Sequence, residues 1–286
     1  MRALSNKYDV TAIWPQSAEH SRIAARDAVR AGMDLVIAMG GDGIVHHVAQ
    51  GLIDTEGTLG IIPSGTTNVL ARLLGIPHRA KDATRLLAEG YDTVRAPTVH
   101  VTATGQNEEW TAHAIFSLGV GPDALVVAAA ETEPFRKYRF GSVHYARTAL
   151  GVVWRDVRRR KPDLTVSTPT ARAGIGAMVQ FHPTYTYFGR VPLRLDGDLP
   201  DPMSVLTIEK LPIRRVGAIA RRAANGSLEE VKGLFLDRRV TEFTVSAEHP
   251  TDLQMDGEHY GTVSGLRAYA KPATLRVAVP RPSEHD

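Results

Sequence analysis

The chain has 286 residues, 43% hydrophobic and 23% charged, the proportions of an ordinary globular protein rather than a disordered or collagen-like one. Its 34 Lys and Arg against 31 Asp and Glu leave a formal charge of +3, a slight basic excess compatible with an anionic partner. Cysteine is absent, which excludes disulfides, thiolate nucleophiles and Cys-based zinc sites and fits a reducing cytoplasm. No apolar run reaches the roughly 18 to 20 residues of a membrane-spanning helix. Met1 to Lys7 lacks the apolar core of a signal peptide. The length exceeds what one hydrophobic core usually holds, so two domains are expected.

Taken in chain order, Tyr8 to Trp14 reads as a strand. Ser17 to Ala31 reads as a helix, with Ser17 as its cap and Gly32 as its stop. Asp34 to Met39 is a short apolar run of the kind buried in parallel sheets. Gly40-Gly41-Asp42-Gly43 follows, then a helix from Ile44 to Leu52. Thr58 to Ile62 is a second apolar strand, and Pro63 to Asn68 a loop. Val69 to Leu74 starts a helix that Gly75 and Pro77 end, and Asp82 to Ala88 is a further helix. This strand, turn and helix order predicts an open α/β layer. From about residue 92 the pattern changes. Thr93 to Thr102, Leu164 to Val166, Ala177 to Phe181, Met203 to Ile208, Thr241 to Ser246 and Thr274 to Val279 read as strands. Phe243 and Val245, and Leu275, Val277 and Val279, alternate with other residues as in half-buried antiparallel sheets. Helical insertions are expected near Tyr138 to Val157 and Ile213 to Ala224. The expected domains are an α/β unit over 1–96, with an open, mostly parallel sheet, and a mostly β unit over 97–286.

Two loops carry the chemistry. Gly40-Gly41-Asp42-Gly43 lies between a buried strand and a helix, where glycines let backbone N–H groups converge and the helix adds its positive end. That is an anion cradle suited to phosphate. Asp42 would repel a phosphate unless Mg²⁺ stood between them. The alternative is a plain strand-to-helix turn. Pro63-Ser64-Gly65-Thr66-Thr67-Asn68 also follows an apolar strand and opens a helix, supplying a glycine, hydroxyls and an amide. In a parallel sheet both loops emerge at the same carboxyl edge, where ligands of α/β folds bind. Its alternative is a capped turn.

Together the loops resemble the diacylglycerol kinase catalytic-domain family, which includes bacterial diacylglycerol kinases and sphingosine kinases. The likeness runs through Gly40-Gly41-Asp42-Gly43, Val48-Ala49-Gln50-Gly51-Leu52, Leu59 to Asn68, Ala71-Arg72 and Leu74-Gly75-Ile76-Pro77. It continues more weakly through Gly119-Val120-Gly121-Pro122-Asp123-Ala124 to Met255-Asp256-Gly257-Glu258. The resemblance implies an ATP-binding α/β domain followed by an antiparallel β-sandwich that takes the lipid. It places the nucleotide at Gly40, Gly41, Asp42, Gly43, Ile44, Gly65, Thr66 and Asn68, with Mg²⁺ at Asp42. Asp256 or Glu258 would accept the proton of the acceptor hydroxyl, as phosphoryl transfer to an alcohol requires. Asp196-Gly197-Asp198-Leu199-Pro200-Asp201 sits where the family often carries a second, structural Mg²⁺, with Asp198 and Asp201 as ligands. A solvated acidic turn is the alternative.

The chain departs from the family pattern in several places. The family's first strand and its Asn-Pro turn have no counterpart before Tyr8, so the natural chain is expected to carry further N-terminal residues. Ile44 stands where the family has Thr, Val69 where it has Asp, and Arg95-Ala96 where it has a third Asp. These changes keep alive a catalytically degenerate lipid- or nucleotide-binding protein. Gly-Gly-Asp-Gly is shared with NAD kinases, which leaves an NAD kinase-like enzyme as another rival. The expected protein is an ATP- and Mg²⁺-dependent lipid kinase, cytoplasmic and peripheral at the inner membrane face, without a nucleic-acid partner; a homodimer stays compatible with the sequence. The basic groups Arg155 to Lys161 and Arg214, Arg215, Arg221 and Arg222 read as solvated faces that could also meet anionic headgroups. His46-His47 read as packing or surface residues, and the aromatic-rich Tyr185 to Gly189 as core packing, with the lining of a lipid-facing cleft as the alternative.

Overall fold

The computed structural model describes residues 2–105, 108–131, 151, 153–157, 160–211 and 216–282. Most of the insertion expected at Tyr138 to Val157, and Arg158, Arg159, Arg214 and Arg215, lie outside the described residues. The chain divides into two compact units, Met1–Thr98 with Pro272–Asp286, and Val99–Lys271. Residues 272–282, read from the sequence as part of the second domain, therefore group with the first.

In the first unit α1 (Arg2–Ser5) and α2 (Ala18–Arg30) precede β1 (Leu35–Gly40). They are followed by α3 (Asp42–Leu52), β2 (Thr58–Pro63), α4 (Val69–Leu73) and α5 (Ala80–Glu89). Ser17 caps α2 as expected, its hydroxyl accepting from the His20 N–H at 3.0 Å. Gly32, at φ +87°, ends the segment. β1 and β2 pair in parallel from Leu35↔Thr58 to Gly40↔Pro63. Every residue of β2 is buried, which is why it reads as an unbroken apolar run.

Tyr8 to Trp14 is not a strand: residues 9–15 have no regular structure. A strand needs a neighbour's ladder, and among the described residues β1 ladders only with β2. The segment is instead anchored by side chains. The Tyr8 hydroxyl donates to the Leu87 carbonyl at 2.9 Å, while Ile13 and Trp14 stay 50% and 76% exposed. The third parallel strand comes from the far end of the chain, where Arg276 and Val277 pair with Thr58 and Leu59. Leu275 and Val277 are fully buried there. Their alternation predicted a strand but not the unit it joins, because period-two burial is the same in either unit.

The second unit is rich in antiparallel strands. β3 (Asp92–Thr104), which begins in the first unit, pairs with β4 (Glu109–Ala114). β5 (Leu118–Val120) leads into α6 (Pro122–Glu131). Further along lie β6 (Leu164–Ser167), β7 (Ala171–Gly174), β8 (Gly176–Gln180), β9 (Thr186–Phe188), β10 (Val191–Leu193), β11 (Ser204–Ile208), α7 (Val216–Asn225) and β12 (Leu234–Asp237). The hairpin of β13 (Glu242–Met255) and β14 (Glu258–Val279) completes the set. β13 pairs antiparallel with β14, β5 and β6, and β5 continues through β8 and β11 to β12. Val99, Val101, Leu118, Val179, Phe243 and Leu253 share its main core.

Gly51 marks a close contact between α3 and α2. A Cβ there would lie 2.4 Å from the Arg22 carbonyl oxygen and 2.9 Å from the Ala25 Cβ. In an open helix Gly→Ala is stabilising by about 1 kcal/mol. Here Gly51→Ala should lower stability by about 1–3 kcal/mol, the range for overpacked cores, as read by thermal unfolding.

Candidate functional site

Parallel pairing of β1 with β2 brings the two glycine loops level at the carboxyl ends of the strands. The ladder runs one step further, the Ser64 N–H donating to the Gly40 carbonyl at 2.9 Å. The loops then touch through their backbones. A Cβ on Gly65 would lie 2.6 Å from the Gly41 Cα and 2.9 Å from the Asn68 Oδ1, so only glycine fits. Helix α3 begins at Asp42, two residues earlier than the apolar pattern indicated, with Gly41 as its cap. The Asp42 Oδ1 reaches across and accepts the Val69 N–H, the first of α4, at 2.6 Å. Asn68 adopts a left-handed conformation (φ 50°), and its amide both accepts the Gly65 N–H at 3.0 Å and donates to the Gly65 carbonyl at 2.8 Å. The structure thus gathers Gly40, Gly41, Asp42, Gly43, Ile44, Gly65, Thr66 and Asn68 in one place. Ser64, Gly65 and Thr66 are exposed there.

This cluster offers backbone donors and a helix N-terminus to an anion. Its one carboxylate, Asp42, suits Mg²⁺, which keeps waters and takes most other ligands from phosphates rather than from a protein cage. Arg95, where the resemblance implied an acid, instead forms an exposed ion pair with Glu56 at 3.2 Å.

In the second unit Asp256 and Gly257 form the two-residue turn of the β13–β14 hairpin, with φ of 58° and 80°. Asp256 is only 1% exposed. Its carboxylate accepts three backbone N–H bonds, from Ile115 at 2.8 Å, Phe116 at 2.8 Å and Ser117 at 2.9 Å. Its own N–H donates to the Ser117 carbonyl at 3.0 Å. Asp256 is thus a brace between the hairpin and the segment before β5. Glu258 follows it and is half-buried.

Beside this turn lies a buried polar group that the sequence reading did not single out. The Tyr185 hydroxyl donates to the Asp123 Oδ2 at 2.6 Å, and the Gln254 amide donates to the same oxygen at 2.7 Å. The Gln254 Oε1 accepts the Gly257 N–H at 3.0 Å, tying the group to the acid turn. Burial pushes the Asp123 carboxyl up, opposed by the bonds from Tyr185 and Gln254. Burial, and then the Asp123 charge, push the Tyr185 phenol well up. Gly119 makes room, since a Cβ there would lie 2.0 Å from the Asp123 Oδ2. The available signal was Gly119-Val120-Gly121-Pro122-Asp123 itself, an acid two residues after a glycine pair. Nothing in the sequence links it to Tyr185.

In the loop at Asp196 the first carboxylate is already engaged within the protein. The Asp196 carboxylate accepts from the Ser204 hydroxyl at 2.6 Å and from the Arg238 guanidinium at 3.0 Å. Asp196 is thus paired with a fixed cation. Asp198 and Asp201 are exposed, and among the described residues no three His, Cys, Asp or Glu form a metal cluster.

Two outcomes follow from these geometries. Asp256→Asn should cost about 1–3 kcal/mol in denaturant unfolding, because either amide orientation turns an NH₂ onto a backbone donor. Asp123 has a raised folded-state pKa, so its neutral form stabilises the fold below about pH 4. That contribution is lost as pH rises through the folded value. Asp123→Asn cannot ionise, so the stability of the unsubstituted protein relative to this variant should fall over that rise and then level, in a pH series of unfolding curves.

Comparison with known proteins agrees with this architecture. Residues 2–97 match the diacylglycerol kinase catalytic domain. A diacylglycerol kinase of Bacillus subtilis is 54% identical over 57 residues, 19% of either chain. A probable lipid kinase YegS-like of Pseudomonas putida is 26% identical over 278 residues, covering 95% of this chain and 85% of its own. The crystal structure of a diacylglycerol kinase of Bacillus anthracis superposes with a TM-score of 0.64 at 14% identity, covering 98% of this chain and 91% of the other, which shows the fold. Residues 2–97 are therefore similar to the diacylglycerol kinase catalytic domain, and the likeness to lipid kinases continues through the second unit.

Proposed function

We propose that this protein transfers the γ-phosphoryl group of ATP to a hydroxyl of diacylglycerol or a related lipid. The observation that carries this reading is the backbone contact of Gly41 with Gly65, locked by the Asp42–Val69 bond, in a chain akin to lipid kinases. The N–H groups of the two loops and the positive end of α3 hold and orient the triphosphate tail. Asp42 would hold Mg²⁺, which supplies charge neutralisation of the transferring group when bound. The lipid oxygen forms its bond to the γ-phosphorus as the bond to the β–γ bridging oxygen breaks, releasing ADP, and the hydroxyl proton passes to a carboxylate. Of the two acids at the hairpin, Glu258 suits proton acceptance better. Asp256 already spends three of its roughly four acceptor positions on backbone N–H groups.

No helix among the described residues is long and apolar enough to cross a membrane. The proposed enzyme meets its lipid peripherally, at the cytoplasmic face of a membrane. A second reading, a protein that binds nucleotide or lipid without turnover, is favoured by one observation: Val69 and Arg95 replace acids that the resemblance implies, leaving Asp42 tied to a backbone N–H.

The deciding experiment offers ATP–Mg²⁺ with dioleoylglycerol in mixed micelles of anionic phospholipid, and separately with sphingosine or NAD. Labelled phosphatidate is expected, abolished by EDTA. Asp42→Asn and Glu258→Gln, which keep the local hydrogen-bond acceptors, should each lower kcat by about 10²-fold or more. Binding of ATP–Mg²⁺ with no transfer to any acceptor would favour the second reading, and phosphorylation of NAD alone would overturn both.

A further inference from the structure

Strands β3 and β4 place His100 directly opposite His113. Their neighbours Val99, Val101 and Ala114 are fully buried, so the two imidazoles share the other, half-buried face of the sheet. The His100 Nδ1 and His113 Nε2 are 3.1 Å apart, and the ring centroids 4.7 Å apart at 69°. The Tyr269 ring lies against His100 with centroids 4.7 Å apart, and the Thr102 Oγ1 stands 3.5 Å from the His100 Nε2. Each neutral imidazole has one N–H and one lone pair, so a single proton lies between the facing nitrogens.

We propose that His100 and His113 form a two-histidine site for a divalent transition-metal ion, copper(II) or zinc. Imidazole nitrogens bind such ions at about 2.0–2.1 Å, which at a tetrahedral angle sets two nitrogens about 3.3 Å apart. At the right angle of a tetragonal copper site the spacing is about 2.9 Å. The observed 3.1 Å lies between the two. The backbone register already holds the donors at the bite of one ion, and turning the rings aims both lone pairs at it. No proton need leave the protein. If the shared proton sits on the His100 Nδ1, that ring changes tautomer, freeing Nδ1 for the metal and placing N–H at Nε2, toward the Thr102 hydroxyl. If it sits on His113, that ring makes the equivalent change. The metal then accepts one lone pair from each ring, with no change of oxidation state. Among the described residues no third His, Cys, Asp or Glu completes a cluster, so water fills the remaining positions and the ion is exchangeable. Copper(II) binds more tightly than zinc, by the general order of divalent affinities.

The site is independent of phosphoryl transfer, and its test reads binding alone. Full-length, tag-free protein is titrated with copper(II) and, separately, zinc. One equivalent of copper(II) is expected at highest affinity, with an electron paramagnetic resonance spectrum showing two coordinated imidazole nitrogens. His100→Gln and His113→Gln each remove one of two donors. Each should weaken binding by more than the roughly 10–100-fold that loss of an outer-shell partner costs. His249→Ala, at an exposed histidine elsewhere, should leave binding unchanged. A spectrum of the unsubstituted protein with one imidazole or none overturns the proposal, whatever the folding of the variants. So does an affinity that survives both substitutions.

Discussion

The approach of the Gly41 and Gly65 backbones is the constraint on which the first unit's surface chemistry rests. Strands paired in parallel and in register end level, and their following loops must then share one small space. Two glycines allow the loops to meet without side chains between them. The contact is then fixed by polar bonds that cross it: Asp42 to the Val69 N–H, and the Asn68 amide back to Gly65. A loop held this way presents its backbone donors in a set geometry, and preorganised donors are what stabilise developing charge on a phosphoryl group. The same bond joins the starts of α3 and α4, so a change at Asp42 touches the shape of the cradle as well as its charge.

The second unit solves a different problem, the burial of carboxylates. A charge taken from water must be met by donors or it will neutralise. Asp256 is met by three amides of one chain segment, so the turn that carries it is stitched to that segment. Asp196 is met by a hydroxyl and a guanidinium. Asp123 is met by a hydroxyl and an amide, and there burial prevails and raises its pKa. Gln254 joins Asp123 to Gly257, so the acid turn is supported on two sides by groups distant in sequence. These are the reasons a turn of two residues can hold Glu258 in a defined place.

Much of this was legible from residues alone. Gly40 to Gly43 and Pro63 to Asn68 were recognisable as loops after buried strands, because apolar runs bounded by glycine, proline and small polar residues leave few other structures. The likeness to diacylglycerol kinases rested on the same segments. The errors share one cause. Tyr8 to Trp14 has a strand's composition but no ladder to join, and Thr274 to Val279 has a strand's alternation but belongs to the other unit. Composition and period describe one segment's faces and are blind to which neighbour covers them.

The sequence by itself determined the two loops, the cap and stop of α2, and the set of acids and glycines from which a phosphate site could be built, since these follow from backbone conformation and short-range spacing. Only the tertiary structure decided what each acid does: Asp42 bridges two loops, Asp256 is a brace, and Asp196 is neutralised by Arg238. It also decided that Asp123, Tyr185 and Gln254 form one group, and that His100 faces His113. Hydrogen bonds and ion pairs depend on distances of about 3 Å between atoms remote in sequence. No local pattern encodes such distances until the strands have chosen their partners.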